Sequence, residues 1–334
     1  MSHEFDTGFT VREPAWHGLG NLLAAAPTNI IEAREAAGLT WEPRKVPAYQ
    51  KKRELVGVTV EGEIVERDIF VEVEGAALIE RTDTDAVIGH GVSSDYQPID
   101  NQTMFEVCEA LASEGAVWET AGSLRGGSIV WSLMKLDEPF TLPGDNSISH
   151  PFVSVVNFHD GSGAMRAQSG SIRIVCQNTN NAADWQAKSR QTQFVFRHTA
   201  NVEDRINEAR QVIMGSRSEA AEWQELAEEL LGIPVTTGNY NAFLDEFFPL
   251  APGVVHSDRV LKNWEGARGI FTQCYNGETN AAAHGTALGL MNCATEYLDH
   301  LRAYKSKDTY VTRTLLRPEP LKAKALQIIK AVCV

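Results

Sequence analysis

The sequence predicts a mixed α+β fold, with an antiparallel, β-hairpin-rich sheet and packed helices up to about residue 200, then a helical C-terminal region. Three observations lead there. Apolar and polar residues alternate with period 2 through LVGVTVEG, EIVERDIFVEVEG and AALIERTDTDAVIGHGVSS. Turn-forming residues interrupt those runs at hairpin intervals. After His198 the apolar period lengthens to that of a helix and stays there.

The first 30 residues have neither period and carry Pro14, Gly18, Gly20 and Pro27. They read as an extended arm, residues 1–30, tied down by Trp16. Thr28-Asn29 opens a short helix that runs through Ala37 and closes at Gly38. Strands occupy Pro47 to Ser93, with turns at Glu61-Gly62 and Thr82–Asp85. Asp100 N-caps a helix to about Glu114 that buries Met104, Phe105, Val107, Cys108 and Leu111. Two hairpins follow, one turning at Arg125-Gly126-Gly127 and one near Asp160–Gly163. A short helix over Asn178–Lys188 and a strand over Gln193–Arg197 complete a core domain, residues 31–200. The helical domain, 201–334, begins with a long helix over Asn201–Leu231. Further helical periods lie near Tyr240–Phe248, Ser257–Cys274, Thr286–Tyr304 and Glu319–Cys333.

A chain of 334 residues, 43% of them hydrophobic, is long enough to bury a substantial core. It has no apolar run of the ~18 residues that span a membrane and no secretory pattern at its start, so a cytoplasmic location in a bacterial host is expected. Cys108, Cys176, Cys274, Cys293 and Cys333 are widely spaced with no C-x-x-C pair, which argues against a disulfide framework and a cysteine-rich zinc site. The net charge of −14 opposes general adhesion to nucleic acid or anionic membrane. Charge is nevertheless segregated. Between Gly161 and Arg217 there are eight basic residues against four acidic ones.

That basic stretch holds the candidate site. Arg166, Arg173 and Arg197 alternate with strand-like residues, and Gln177, Asn178 and His198 add polar groups. If the three arginines share a sheet face, they form a stripe suited to a single-stranded phosphate backbone, with Arg125 touching a further phosphate from its hairpin tip. Cys176 with His198 or His159 has the residue types of a thiol–imidazole pair, but Cys176 follows Ile172, Ile174 and Val175 and reads as a buried strand end. His159-Asp160 lacks the spacing of a metal site, and no cofactor motif is present.

The segments WHGLG, ETAGSLRGGSIVW, IRIVCQNTNNA, FRHTANVEDRI and HGTALGLMNCATEYLDHLR resemble, in order, the phage/plasmid-like family of unknown function. The R-x-V-C-x-N-T block with the following R-H-T is the most specific part, and Gln177 fills a variable position in it. The resemblance implies a bacteriophage or other mobile-element setting and carries no established reaction.

Within that setting the architecture resembles the single-strand annealing proteins of phage recombination. The leading expectation is therefore a single-stranded DNA-binding, annealing-type homo-oligomer that makes and breaks no bond. In it Arg125, Arg166, Arg173 and Arg197 hold phosphates, Gln177, Asn178 and His198 make polar contacts, and the arm with Trp16 reaches a neighbouring copy. The alternatives are a nucleotide- or nucleic-acid-processing enzyme centred on Cys176 and His198, and a phage structural or host-interaction protein.

Overall fold

A computed structural model describes residues 5–12, 20–142, 145–173, 178–180, 193–195, 202–302 and 320–334. The α+β class and the change to helices after the sheet are as the two periods predict. The main sheet holds β1 (Phe5–Val11), β2 (Asn21–Leu23), β6 (Ala116–Leu124), β7 (Ile129–Leu136), β9 (Asp145–Phe158), β10 (Arg166–Arg173) and β11 (Asn178–Asn180), in the order β11-β10-β9-β7-β6-β1-β2. Two short strands lie off that path, β8 (Phe140–Leu142) on β9 and β12 (Gln193–Val195) on β10. Among the described residues of this sheet, only the β1–β2 pair is parallel. A second sheet has the order β3-β4-β5, from β3 (Pro43–Val58), β4 (Ile64–Arg81) and β5 (Val87–Ser93).

Two helices show how local chemistry fixes boundaries. In α1 (Ile30–Ala37) the Asn29 side chain accepts from Glu32 N at 3.0 Å, while Glu32 accepts from the Thr28 backbone at 2.8 Å. Gly38 ends the helix at φ 70°, where a side chain would be strained. In α2 (Asn101–Ser113) Asp100 caps Thr103 N at 2.6 Å, and the predicted Met104, Phe105, Val107, Cys108 and Leu111 are buried. One face of the main sheet, through Phe9, Ala121, Val130, Met134, Val153, Val155 and Ala167, packs with these helices in a single core. The long helix α3 (Val202–Leu231) adds Val212 and Ile213 to it.

Further along α3, Trp223, Ala227 and Leu230 recur at i, i+4 and i+7 and enter a separate helical core. That core is shared with α4 (Thr237–Phe247), α5 (Asp258–Tyr275), α6 (Ala287–Glu296), a π-helical turn at Tyr297–Leu301, and α7 (Pro320–Cys333). Phe243, Phe247, Phe271 and Tyr297 form its aromatic centre. Lys322 on α7 and Asp299 are both buried and meet at 2.9 Å. No helix among the described residues is long and apolar enough to cross a membrane.

Two local expectations change. Residues 178–180, predicted to open a helix, form β11 instead, with Asn178 opposite Arg173. Asparagine is a weak helix former, and β10 there offers an edge whose N–H and C=O groups need partners. In the predicted arm, residues 5–11 are strand β1, paired with β6 through Phe9↔Ala121, and Phe9 is buried in the core. The close approach needs glycine at 122, since a Cβ there would lie 2.2 Å from the Thr7 carbonyl oxygen. Trp16 lies outside the described residues.

Candidate nucleic-acid interface

Strand pairing brings two predicted site residues to one end of the main sheet. Leu124 pairs with Ile129 and Ile129 with Phe158, so the β6–β7 and β9–β10 turns are neighbours. His159 N donates to Ser128 O at 2.8 Å and ties them together. Arg125 is exposed in the first turn, and Arg166 begins β10 just after the second. Arg166 is level with Gly122 across three strand spacings, roughly 14 Å, and Arg125 lies three residues beyond Gly122, in the turn.

The first turn is built tightly. Arg125, Gly126 and Gly127 have φ of 54°, 69° and 107°. A left-handed arginine costs on the order of 1 kcal/mol relative to glycine, so the turn holds Arg125 against its local backbone preference. A Cβ on Gly127 would approach the Trp41 ring to 2.6 Å. On that indole sits the Arg81 guanidinium, 4.4 Å from the ring centroid. Arg81 also donates to Gly126 O at 3.1 Å, to Asp6 at 3.0 Å, and through two nitrogens to Asp83 at 2.9 and 2.8 Å. The Asp83 side chain, above all, raises the Arg81 pKa and is itself lowered in return.

Behind Trp41 lies His159, with the rings edge to face and 5.7 Å apart. The amide of Asn101 donates from Nδ2 to Trp41 O at 2.8 Å, which leaves Oδ1 to accept from His159 Nε2 at 2.9 Å. This assigns the Nε2–H tautomer. Nδ1 is buried and has no hydrogen-bond partner among the described residues. Burial drives the His159 pKa down to about 4, outweighing the pull of Asp160 and Asp100. His159 is therefore a neutral structural group holding the floor of the two turns.

At the rim, the Arg166 guanidinium lies 5.1 Å from the centroid of Phe158. A flat cation on an aromatic ring is a suitable platform for a base or a phosphate. The proposed stripe does not extend along β10. Its register with β9 is unbroken from Arg166↔Val156 to Arg173↔Ser149. Seven steps is odd, so the two positions fall on opposite faces of the strand, roughly 23 Å apart along it. The expectation of a shared face fails for this pair because strand alternation reverses at every residue. Asn178, opposite Arg173, belongs to that far end. Gln177, Arg197 and His198, and Cys176 with them, lie outside the described residues.

Many described cations are paired with carboxylates. Arg44 meets Glu80 and Asp85, Arg210 meets Glu114, Arg217 meets Glu138 and Arg268 meets Asp245. The thiols of Cys108, Cys274 and Cys293 are buried, and burial raises that of Cys108 to about 12. Trp41, Arg81 and Asn101 escaped the sequence reading. Nothing local marks an indole near a helix end, or the first residue after an N-cap, as part of a turn's support.

A family model described as a domain of unknown function (DUF932) matches residues 90–317. The match covers more than half of the chain, which belongs to this family. Neither the curated proteins nor the solved structures give a match.

Proposed function

We propose that this DUF932 member is a single-stranded DNA-binding protein of the annealing type, from a phage or other mobile element, and that it acts by binding rather than bond chemistry. The observation that carries the reading is the pair of cations at one end of the sheet. Arg125 is exposed on a left-handed turn, and Arg166 lies over Phe158. Phosphate contacts from both, with a stacking platform at one of them, are what a sequence-tolerant single-strand site requires. The excess of basic over acidic residues between Gly161 and Arg217 supports it further.

The carboxylates of Asp6, Asp83 and Asp160 near these turns limit the electrostatic gain, so affinity per chain is modest and oligomer avidity supplies the rest. Titration of a fluorescent 30-mer, single-stranded against duplex, tests the reading. Tighter single-strand binding that weakens about tenfold in Arg125→Ala/Arg166→Ala supports it. Equal binding to both forms, or no effect of the double substitution, refutes it. A second reading, a protein-binding role in phage structure or host interaction, is favoured by the ion-paired cations and by an exposed apolar β-ribbon. It predicts no oligonucleotide binding at all.

A further inference from the structure

Among the described residues, exposed large apolar side chains cluster on the distal part of the β3–β4 hairpin. Strand β5 pairs with residues 76–80 of β4, so beyond Tyr49↔Glu72 the hairpin is a two-stranded ribbon with no third strand among the described residues. Directly opposed residues share a face. One face therefore carries Tyr49, Lys51, Arg53, Leu55 and Val58 on β3, against Glu72, Phe70, Asp68, Glu66 and Ile64 on β4. Tyr49, Leu55, Val58, Ile64 and Phe70 are 56%, 63%, 61%, 68% and 68% exposed. On the opposite face Val65 and Val71 reach only 41% and 39%. An isolated two-stranded hairpin is marginal in water, and a ribbon this apolar is expected to be covered.

We infer that this face docks on the same face of a second copy of the chain. Charge placement fixes the partner and its alignment. Within the face the cations, Lys51 and Arg53, are on β3, and the anions, Glu66, Asp68 and Glu72, are on β4. A two-fold axis along the ribbon lays β3 over the partner's β4, with both tips pointing the same way, so Arg53 faces the partner's Asp68 at the middle of the face and the apolar residues meet at its two ends, Tyr49 and Phe70 at one and Leu55, Val58 and Ile64 at the other. The antiparallel alternative lays β3 on β3 and opposes like charges. Within one chain Lys51 already pairs with Asp68 at 2.7 Å and Arg53 with Glu66 at 3.5 Å. Docking converts these into four-charge networks. The five apolar side chains present on the order of 500 Å² per copy, and the charged residues between them bring the total toward the ~800 Å² per partner of a standard interface. The residues of this face carry no net positive charge, which disfavours a phosphate backbone as the occupant.

The inference is independent of DNA binding and is tested without DNA. Sedimentation and light scattering of the full chain at 1–100 µM should give twice 36.7 kDa at the upper concentrations. Phe70→Ser should weaken the dimer by at least about 30-fold, the effect of losing an aromatic anchor. The Lys51→Glu/Arg53→Glu chain and the Glu66→Lys/Asp68→Lys chain should each be monomeric alone and form a heterodimer on mixing, because only the mixture restores opposite charges across both contacts. Phe70 is exposed, so Phe70→Ser should leave circular dichroism and melting unchanged, whereas each reversed chain loses its in-chain Lys51–Asp68 and Arg53–Glu66 pairs and is used only where its circular dichroism shows a folded domain. A monomer at every concentration overturns the inference. So does a dimer indifferent to Phe70→Ser, reversed chains that fail to pair on mixing, or an assembly of more than two copies.

Discussion

Replacing His159 with glutamine should flatten the acid limb of the stability curve. In the native protein the imidazole is buried, neutral, and bonded only through Nε2 to Asn101, and its pKa falls from 6.5 to about 4. In the unfolded chain it titrates near its ordinary value. Between those two values the unfolded state binds a proton that the native state refuses, so stability falls as pH drops through this window. One pKa unit corresponds to about 1.4 kcal/mol, so the loss from pH 7 to 4.5 is about 2–3 kcal/mol for the wild type. Glutamine keeps a donor toward Asn101 and cannot take the proton. His159→Gln should therefore be about 1–2 kcal/mol less stable at pH 7, with that deficit closing or reversing by pH 4.5. Urea unfolding of both proteins across this range measures the difference, and carboxylate titration cancels between them. Parallel pH profiles would refute the buried, neutral assignment.

Other perturbations give equally definite outcomes. Lys322→Met removes the buried cation that meets the Asp299 carboxylate and should cost about 3 kcal/mol in urea unfolding, whereas Lys322→Met/Asp299→Leu should recover much of that loss. Gly127→Ala drives a methyl group into Trp41 at a left-handed backbone position, and should lower the melting temperature by more than about 5 °C while quenching or shifting indole fluorescence. Phe271→Ala opens a cavity among Phe243, Phe247 and Tyr297 and should destabilise the helical core by about 3–5 kcal/mol, read by thermal unfolding.

Much of the fold was legible because it rests on local signals. The Asp100 cap, the Gly38 stop and the Arg125-Gly126-Gly127 turn each contain their own chemistry, and α2 buries the side chains its period marks. Strand β1 was not legible. It is held by pairing with β6 more than 100 residues away, and Gly122 acquires its meaning only once Thr7 lies against it. The capping box of Thr236 and Asn239 starts α4 several residues earlier than the apolar period alone suggests, because Asn replaces the usual acidic partner. Within the site, residue type and alternation mark the arginines, and both are blind to register. Whether Arg166 and Arg173 share a face depends on an odd or even count along an unbroken strand, and the unbroken pairing with β9 decides it. The support beneath Arg125, built from Trp41, Arg81, Asn101 and His159, assembles residues from four separate segments, which no one-dimensional pattern joins.

The most direct measurement is the salt dependence of single-strand binding. Each phosphate neutralised on a single strand contributes about −0.7 to the slope of log K against log salt concentration. If Arg125 and Arg166 each hold one phosphate, Arg125→Ala/Arg166→Ala should reduce the steepness of that slope by about 1.4 while the oligomeric mass stays unchanged. An unaltered slope, or binding too weak to detect for the wild type at 50 mM salt, would contradict a DNA site at this end of the sheet.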